Sequence, residues 1–110
     1  MKLLTLTVFL LISNVVYSNS VHGVEIIKLA INPAYGNYVL IKLDQPPERI
    51  SCSENGSWDF TLSLTSDVYK HMYSLLLSAF MAGKKIDING TNSCNEFPHI
   101  ESVNTLHVNT

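Results

Sequence analysis

The sequence predicts a mainly β domain with one helix, and two observations lead to this fold class. An amphipathic helical pattern with agreeing start and stop signals occurs once, between Ser66 and Gly83. Three β-type segments precede this pattern and two follow it, each bounded by turn-forming residues. The expected order is therefore β-β-β-α-β-β.

The first 18 residues have the composition of a secretory signal peptide. Lys2 is followed by an apolar run from Leu3 to Ile12 and then by short residues up to Ser18. This run is too short to span a bilayer comfortably, and an uncleaved membrane anchor is the alternative interpretation. We expect a secreted or periplasmic protein in which residues 19–110 form a single domain without a membrane span.

The expected strands combine β-branched residues with alternation of apolar and polar side chains. Residues 32–37 are dense in turn formers and predict a hairpin between the first two strands. The inward set of the last strand departs from strict alternation, and a bulge near Asn104 would reconcile it. In chain order the strands are Gly23 to Ile31, Tyr38 to Leu43, Trp58 to Leu64, Lys84 to Asn89 and Ile100 to Val108.

The helix is predicted to begin after a Ser66 cap and to end at Gly83. Its expected core face consists of apolar residues that gather on one side at helical spacing: Val68, Met72, Leu75, Leu76 and Ala79. Four more residues widen the apolar arc beyond what one small core needs: Tyr69, Tyr73, Leu77 and Phe80. We expect these four at an oligomer or partner interface, with completion of a monomer's core as the alternative.

Three strands, one helix and two strands form the element order of the five-stranded oligomer-binding barrel, the OB fold. An open α+β sheet with the same order is the structural alternative.

Cys52 and Cys94 are the two cysteines, and in an exported protein they are expected to form one structural disulfide. Neither belongs to a CxxC pair, and the four histidines are scattered, so we expect no metal site and no cofactor. Without Lys2, 6 of the 7 basic residues remain against 9 acidic residues. This balance argues against nucleic acid as a partner, because phosphate binding needs a basic stripe.

The chain from Cys52 onward carries SCS, SW, VYKHMYSLLLSAFMAGKKIDI, a turn with Cys94, and FPHIESVNTLHV. This pattern resembles small exported bacterial proteins similar to the B subunit of subtilase cytotoxin, the receptor-binding half of an AB5 toxin. The resemblance implies an OB-type barrel, a homo-oligomeric ring of five, recognition of sialylated glycans on a host surface, and a separate enzymatic A chain. In that family a serine just before the first strand's glycine contacts the sugar. His22 precedes Gly23 here, so no sugar-contacting residue is carried over.

The turn between the first two strands offers aromatic faces and amides that suit a sugar ring: Asn32, Tyr35, Asn37 and Tyr38. The alternative is that these are ordinary turn and strand-end residues. No serine lies in a GxSxG motif, and no pair of carboxylates stands out by spacing. We therefore expect a non-catalytic binding module, with a periplasmic structural or protein-interaction domain as the alternative.

Overall fold

The computed structural model describes residues 20–109, so the expected signal peptide, residues 1–18, lies outside the described residues. The described chain is mostly β with one α-helix, α1 (Asp67–Ala82), as predicted. It has six strands, four of them before the helix, where the expected order β-β-β-α-β-β has five. A short 3-10 turn, Pro33–Tyr35, lies between the second and third strands. The strands are β1 (Ser20–Val24), β2 (Ile26–Ile31), β3 (Tyr38–Leu43), β4 (Phe60–Ser63), β5 (Ile86–Gly90) and β6 (Glu101–Val108).

These strands form one six-stranded sheet in the order β1-β5-β6-β4-β3-β2. All neighbouring pairs are antiparallel except β4 and β6, which are parallel. The predicted hairpin is present as β2 and β3. The bulge expected near Asn104 is confirmed, because Asn89 pairs with Thr105 while Gly90 pairs with Val103.

The single first strand of the prediction is wrong, because the chain changes partners at Glu25. Before this residue β1 pairs with β5, and after it β2 pairs with β3, so the two segments lie at opposite edges of the sheet. Glu25 and Asp44 hold the break: the Glu25 N–H donates to the Asp44 carboxylate at 3.0 Å, and the Asp44 N–H donates to the Glu25 carbonyl at 2.9 Å. Gly23, with φ of 63°, lies inside the register shift of β1 and allows the bend.

The core lies between one face of the sheet and α1. Its fully buried side chains come from alternating strand positions and from one side of the helix: Val24, Val39, Ile41, Leu43, Phe60, Leu62, Leu76, Ala79, Ile86, Ile88 and Val103. This alternation is the period that the strand segments predicted. The helix begins and ends as predicted, since the Ser66 hydroxyl accepts a hydrogen bond from the Tyr69 N–H and Gly83 takes the left-handed conformation with φ of 65°.

The predicted core face of the helix is only partly correct. Val68 and Leu75 were expected in the core, but their exposed fractions are 63% and 42%. Tyr69, Tyr73 and Phe80 instead pack partly against the core, beside Met72, Leu76 and Ala79. The wide apolar arc allowed two helix rotations, and the one that partly buries the large aromatic rings removes more apolar surface from water.

The predicted disulfide between Cys52 and Cys94 is present and joins positions separated by 42 residues. It connects the irregular segment before β4 to the loop between β5 and β6. Within residues 20–109, no helix combines the length and apolar character needed to cross a membrane.

Candidate functional site

The sheet face opposite the core carries three small hydroxyl side chains and the ring of Tyr38. On this face Tyr38 pairs with Ser63 across β3 and β4, and Thr61 pairs with Ser102 across β4 and β6. Paired residues point to the same side of a sheet, so these four side chains share the outer face. Thr61, Ser63 and Ser102 are nevertheless buried, which requires a cover over this part of the sheet.

The cover is the loop of residues 91–100, which folds back along β6. The Thr91 N–H donates to the Ser102 carbonyl at 2.9 Å, and the Ser102 N–H donates to the Ser93 carbonyl at 3.1 Å. Cys94 then fixes the loop to the segment before β4 through the disulfide. The loop is thus attached to β6 by hydrogen bonds and to the segment before β4 by the disulfide, and its side chains lie over the outer face.

Three aromatic rings meet where this loop reaches the turn between β2 and β3. Phe97 contacts Tyr35 edge to face, with ring centroids 5.8 Å apart, and contacts Tyr38 in the same manner at 5.4 Å. Tyr35 keeps 49% of its surface exposed. We name Tyr35, Tyr38 and Phe97 the aromatic trio. Its exposed ring is that of Tyr35, and the contact with Phe97 from the other loop fixes the orientation of this ring.

The four predicted binding residues have different positions in this arrangement. Tyr35 and Tyr38 are brought together by Phe97, as described above. Asn32 caps the 3-10 turn, because its side-chain oxygen accepts a hydrogen bond from the Ala34 N–H at 2.9 Å. Asn37 is exposed, and its carbonyl accepts a hydrogen bond from the Leu64 N–H at 2.7 Å. The amide of Asn32 therefore shapes the turn, while that of Asn37 remains at the surface.

A pocket of about 100 Å³ opens beside the aromatic trio, under the same loop. Its lining combines outer-face residues of the sheet, loop residues and one ring from the first turn of α1: Thr61, Ser63, Tyr69, Thr91, Ser93, Asn95, Glu96, Ser102 and Val103. We name it the hydroxyl pocket. Ser63 pairs with Tyr38, and Glu96 precedes Phe97 in the chain, so the pocket borders the trio on two sides.

The four residues predicted at an interface are divided between two places. Tyr69 lines the hydroxyl pocket. Tyr73, Leu77 and Phe80 line an apolar groove of about 300 Å³ that α1 forms with residues 29–31 of β2. β2 has a hydrogen-bonded neighbour only on its β3 side within the described sheet, so the groove runs beside a sheet edge. Tyr73 and Phe80 also complete the core, whereas Leu77 is exposed.

A third depression, of about 170 Å³, lies on β1, β5 and β6 around Asp87. One oxygen of this carboxylate accepts hydrogen bonds from the Asn109 side-chain amide at 2.9 Å and from the Gly23 N–H at 2.8 Å. The Nδ1 atom of His22 lies 3.6 Å away. The bond from Asn109 and then that from Gly23 lower the pKa of Asp87 below its ordinary value, with a smaller contribution from His22.

Asp87 should therefore contribute stability that depends on pH. Because its folded-state pKa is lowered, the contribution is complete above the ordinary value of about 4 and is lost as pH falls through the folded value. The Asn109→Ala variant should raise the pKa of Asp87 relative to the wild type, as measured by a carboxyl-carbon NMR titration. Asn104→Ala is the control, since this exposed asparagine lies at the β6 bulge and should leave the pKa unchanged. An unchanged pKa in Asn109→Ala would contradict the assignment.

Sequence reasoning missed Phe97 of the aromatic trio and every lining residue of the hydroxyl pocket except Tyr69, Ser102 among them. Phe97 carries a weak signal, since it is a single aromatic residue in a polar loop after Cys94. Ser102 carries none, because a serine within a strand gives no indication of what covers it. Both depend on the path of the 91–100 loop, which the local pattern does not contain.

Among residues 20–109, no group of three or more histidine, cysteine, aspartate or glutamate residues is arranged to hold a metal ion. The candidate site is built from aromatic rings, hydroxyl groups, an amide and a carboxylate. Comparisons with protein-family models, with curated proteins and with solved structures gave no match.

Proposed function

We propose that the protein is a secreted, non-catalytic binding module that recognises oligosaccharides through the aromatic trio and the adjoining hydroxyl pocket. The observation that carries the proposal is the edge-to-face contact between Tyr35 and Phe97, which come from two different loops and leave the Tyr35 ring exposed. An exposed ring held rigidly can stack on the apolar face of a sugar, while neighbouring hydroxyl and amide groups bond its hydroxyls. Recognition of a host-surface glycan fits the resemblance to toxin B subunits.

We propose further that the sheet belongs to an OB-type barrel, a fold that suits this function. If β1 and β2 are counted as two halves of one bent strand, the sheet has five strands and both of its edges belong to that strand. The turn at 32–37 then joins the first and second strands, and the 91–100 loop joins the fourth and fifth. In OB folds these two loops, with the face of the second and third strands, bind oligosaccharides and oligonucleotides. The aromatic trio and the hydroxyl pocket include residues of these two loops, which supports the proposal.

Assembly into a ring is the second part of the proposal, by resemblance a ring of five that serves a separate A chain. The apolar groove and the edge of β2 support it, because Ile31 and Leu77 are exposed in the groove and Ile27 is exposed on the same strand. The same groove also favours the alternative, a periplasmic protein-interaction domain without a small ligand. Light scattering on the oxidised chain of residues 19–110 separates these proposals: a mass of several subunits supports assembly, and a monomer contradicts it.

Glycan binding is tested by presenting that oxidised chain to an array of neutral and sialylated oligosaccharides. We expect binding to at least one group of related glycans. The Tyr35→Ala variant should weaken this binding by about tenfold, since loss of one stacked ring removes about 1 kcal/mol or more. Tyr35→Phe should retain most of the affinity because it keeps the ring.

Met81→Ala is the matched control for a lost exposed apolar side chain, as Met81 lies at the end of α1 with 76% of its surface exposed. It should bind as the wild type does. If no glycan binds the wild type, or if Tyr35→Ala and Met81→Ala bind equally well, the proposed site is wrong.

A further inference from the structure

We infer that the hydroxyl pocket receives the edge of an uncharged sugar ring and not the carboxylate of an acidic sugar. This inference rests on the proposed function and names the ligand class of its pocket. It departs from the expectation of sialylated glycans that the resemblance carries. Three features of the pocket support it: an unsatisfied hydroxyl group, the hydrogen-bonding capacity of its neighbours, and its charge.

The Ser102 hydroxyl is the first feature. Ser102 is 6% exposed, and within residues 20–109 its Oγ is the buried side-chain polar atom that lacks a hydrogen-bond partner. A buried hydroxyl without a partner loses free energy, so such groups normally bond to protein, water or a ligand. Ser102 lines a pocket with room for more than one water molecule. The Ser102 hydroxyl can thus form hydrogen bonds with a ligand group that both donates and accepts them.

The neighbouring hydroxyls have acceptor capacity left. The Thr61 Oγ1 donates its proton to the Val39 carbonyl at 3.2 Å, and the Ser63 Oγ can donate to the Thr65 hydroxyl at 3.2 Å. With their protons used in this way, the lone pairs of both oxygens remain for donors from a ligand. A sugar hydroxyl supplies such a donor and can also accept a bond from Ser102. A carboxylate supplies no donor, so it cannot satisfy these oxygens.

The charge of the pocket also favours an uncharged ligand. Glu96 is the one formally charged side chain among its described lining residues, and no lysine or arginine is among them. An anionic group would face a carboxylate without a compensating cation, which is unfavourable in a partly enclosed site. An uncharged ring avoids this repulsion, and the Glu96 carboxylate can accept bonds from its hydroxyls.

The aromatic trio supplies the remaining contact. Tyr38 and Ser63 are paired neighbours, so a ring whose edge enters the hydroxyl pocket continues toward the trio at the pocket's rim. Tyr35 and Phe97 would then contact the next sugar unit of a chain. The pocket therefore selects the terminal unit by its hydroxyl groups, while the trio adds affinity with less dependence on charge.

The test is an NMR titration of the ¹⁵N-labelled oxidised chain with five separate probes. Four are uncharged methyl glycosides, of glucose, galactose, mannose and N-acetylglucosamine, and the fifth is the methyl glycoside of N-acetylneuraminic acid. We expect at least one uncharged probe to shift the amide signals of Thr61, Ser93 and Ser102, and the acidic probe to leave them unchanged. The Ser102→Ala variant should weaken that binding by roughly tenfold without a lower melting temperature.

Ser53→Ala is the matched control, because Ser53 is 3% exposed and lies outside the pocket; its affinity should equal that of the wild type. Equal affinity of Ser102→Ala, shifts caused by the acidic probe alone, or no shift with any probe would each overturn the inference. If oligosaccharide binding on the array is weakened in Tyr35→Ala but not in Ser102→Ala, the inference is wrong and the proposed function stands. If an uncharged methyl glycoside binds the wild type more tightly than Ser102→Ala while no oligosaccharide binds on the array, the inference about the pocket is supported and the proposed function is wrong.

Discussion

Replacing Arg49 with methionine is expected to lower the free energy of unfolding by about 3 kcal/mol. The Arg49 guanidinium donates to the Asp59 carboxylate at 2.8 Å, and the Asp59 side chain has no solvent exposure. The other oxygen of Asp59 accepts the Leu43 N–H at 2.8 Å, which keeps the carboxylate inside the fold. Methionine preserves much of the apolar stem of arginine but leaves a buried negative charge without its main partner. Urea unfolding monitored by circular dichroism measures the effect.

Lys42→Met is the control for this prediction. The Lys42 ammonium also lies near Asp59, but at 3.6 Å and without a close hydrogen bond. We expect it to contribute no more than about 1 kcal/mol, as partly exposed ion pairs do. Equal effects of the two variants, or a loss below about 1 kcal/mol for Arg49→Met, would contradict the role given to Arg49.

Replacing both Cys52 and Cys94 with alanine is expected to lower the free energy of unfolding by about 4 kcal/mol. This value follows from the chain entropy of a loop closed between positions separated by 42 residues. It is comparable to the whole stability of many small domains, so much of the variant should be unfolded at 37 °C. Where the variant is folded, glycan affinity should also fall, because Cys94 holds the loop that carries Phe97. Thermal unfolding and the glycan array measure the two effects.

The oxidised and reduced wild-type chains provide the control for the cysteine variant. The reduced wild type should match the double variant in stability, since both lack the same covalent link. A double variant that unfolds within about 1 kcal/mol of the oxidised wild type would contradict the structural role of the disulfide.

The local parts of this fold could be predicted from the sequence because their signals are local. Ser66 and Gly83 mark the ends of the helix through capping and a left-handed residue, and the structure has both features. The bulge at Asn104 follows from an alternation that slips by one position within a single strand. The disulfide needed only two cysteines in an exported chain.

The parts that depend on distant partners could not be predicted. GVEIIKLAI looks like one strand, and nothing in its pattern shows that the residues on either side of Glu25 pair with different strands. The helix has an apolar arc wider than half its circumference, so either Val68 or Tyr69 could face the core. Only the shape of the sheet beneath the helix decides between these rotations.

The candidate site also combines residues that local sequence signals predict with residues that depend on distant partners. Tyr35 and Tyr38 lie in a turn that is recognisable from its residue types, so they could be named in advance. Phe97 and Ser102 join them only because the loop after β5 folds back on the outer face, guided by Cys94 and by two backbone hydrogen bonds to Ser102. A hydroxyl pocket formed from β4, β6, a loop and the start of a helix has no contiguous sequence signal.

The most direct test of oligosaccharide recognition is to map the binding surface of the glycan that binds best on the array. We would titrate it into the ¹⁵N-labelled oxidised chain and follow the amide signals by NMR. The account predicts that the largest shifts occur at Tyr35, Gly36, Glu96 and Phe97. Shifts centred on Asp87 and His107, or on Tyr73 and Leu77 in the apolar groove, would contradict it and move the binding site to another face.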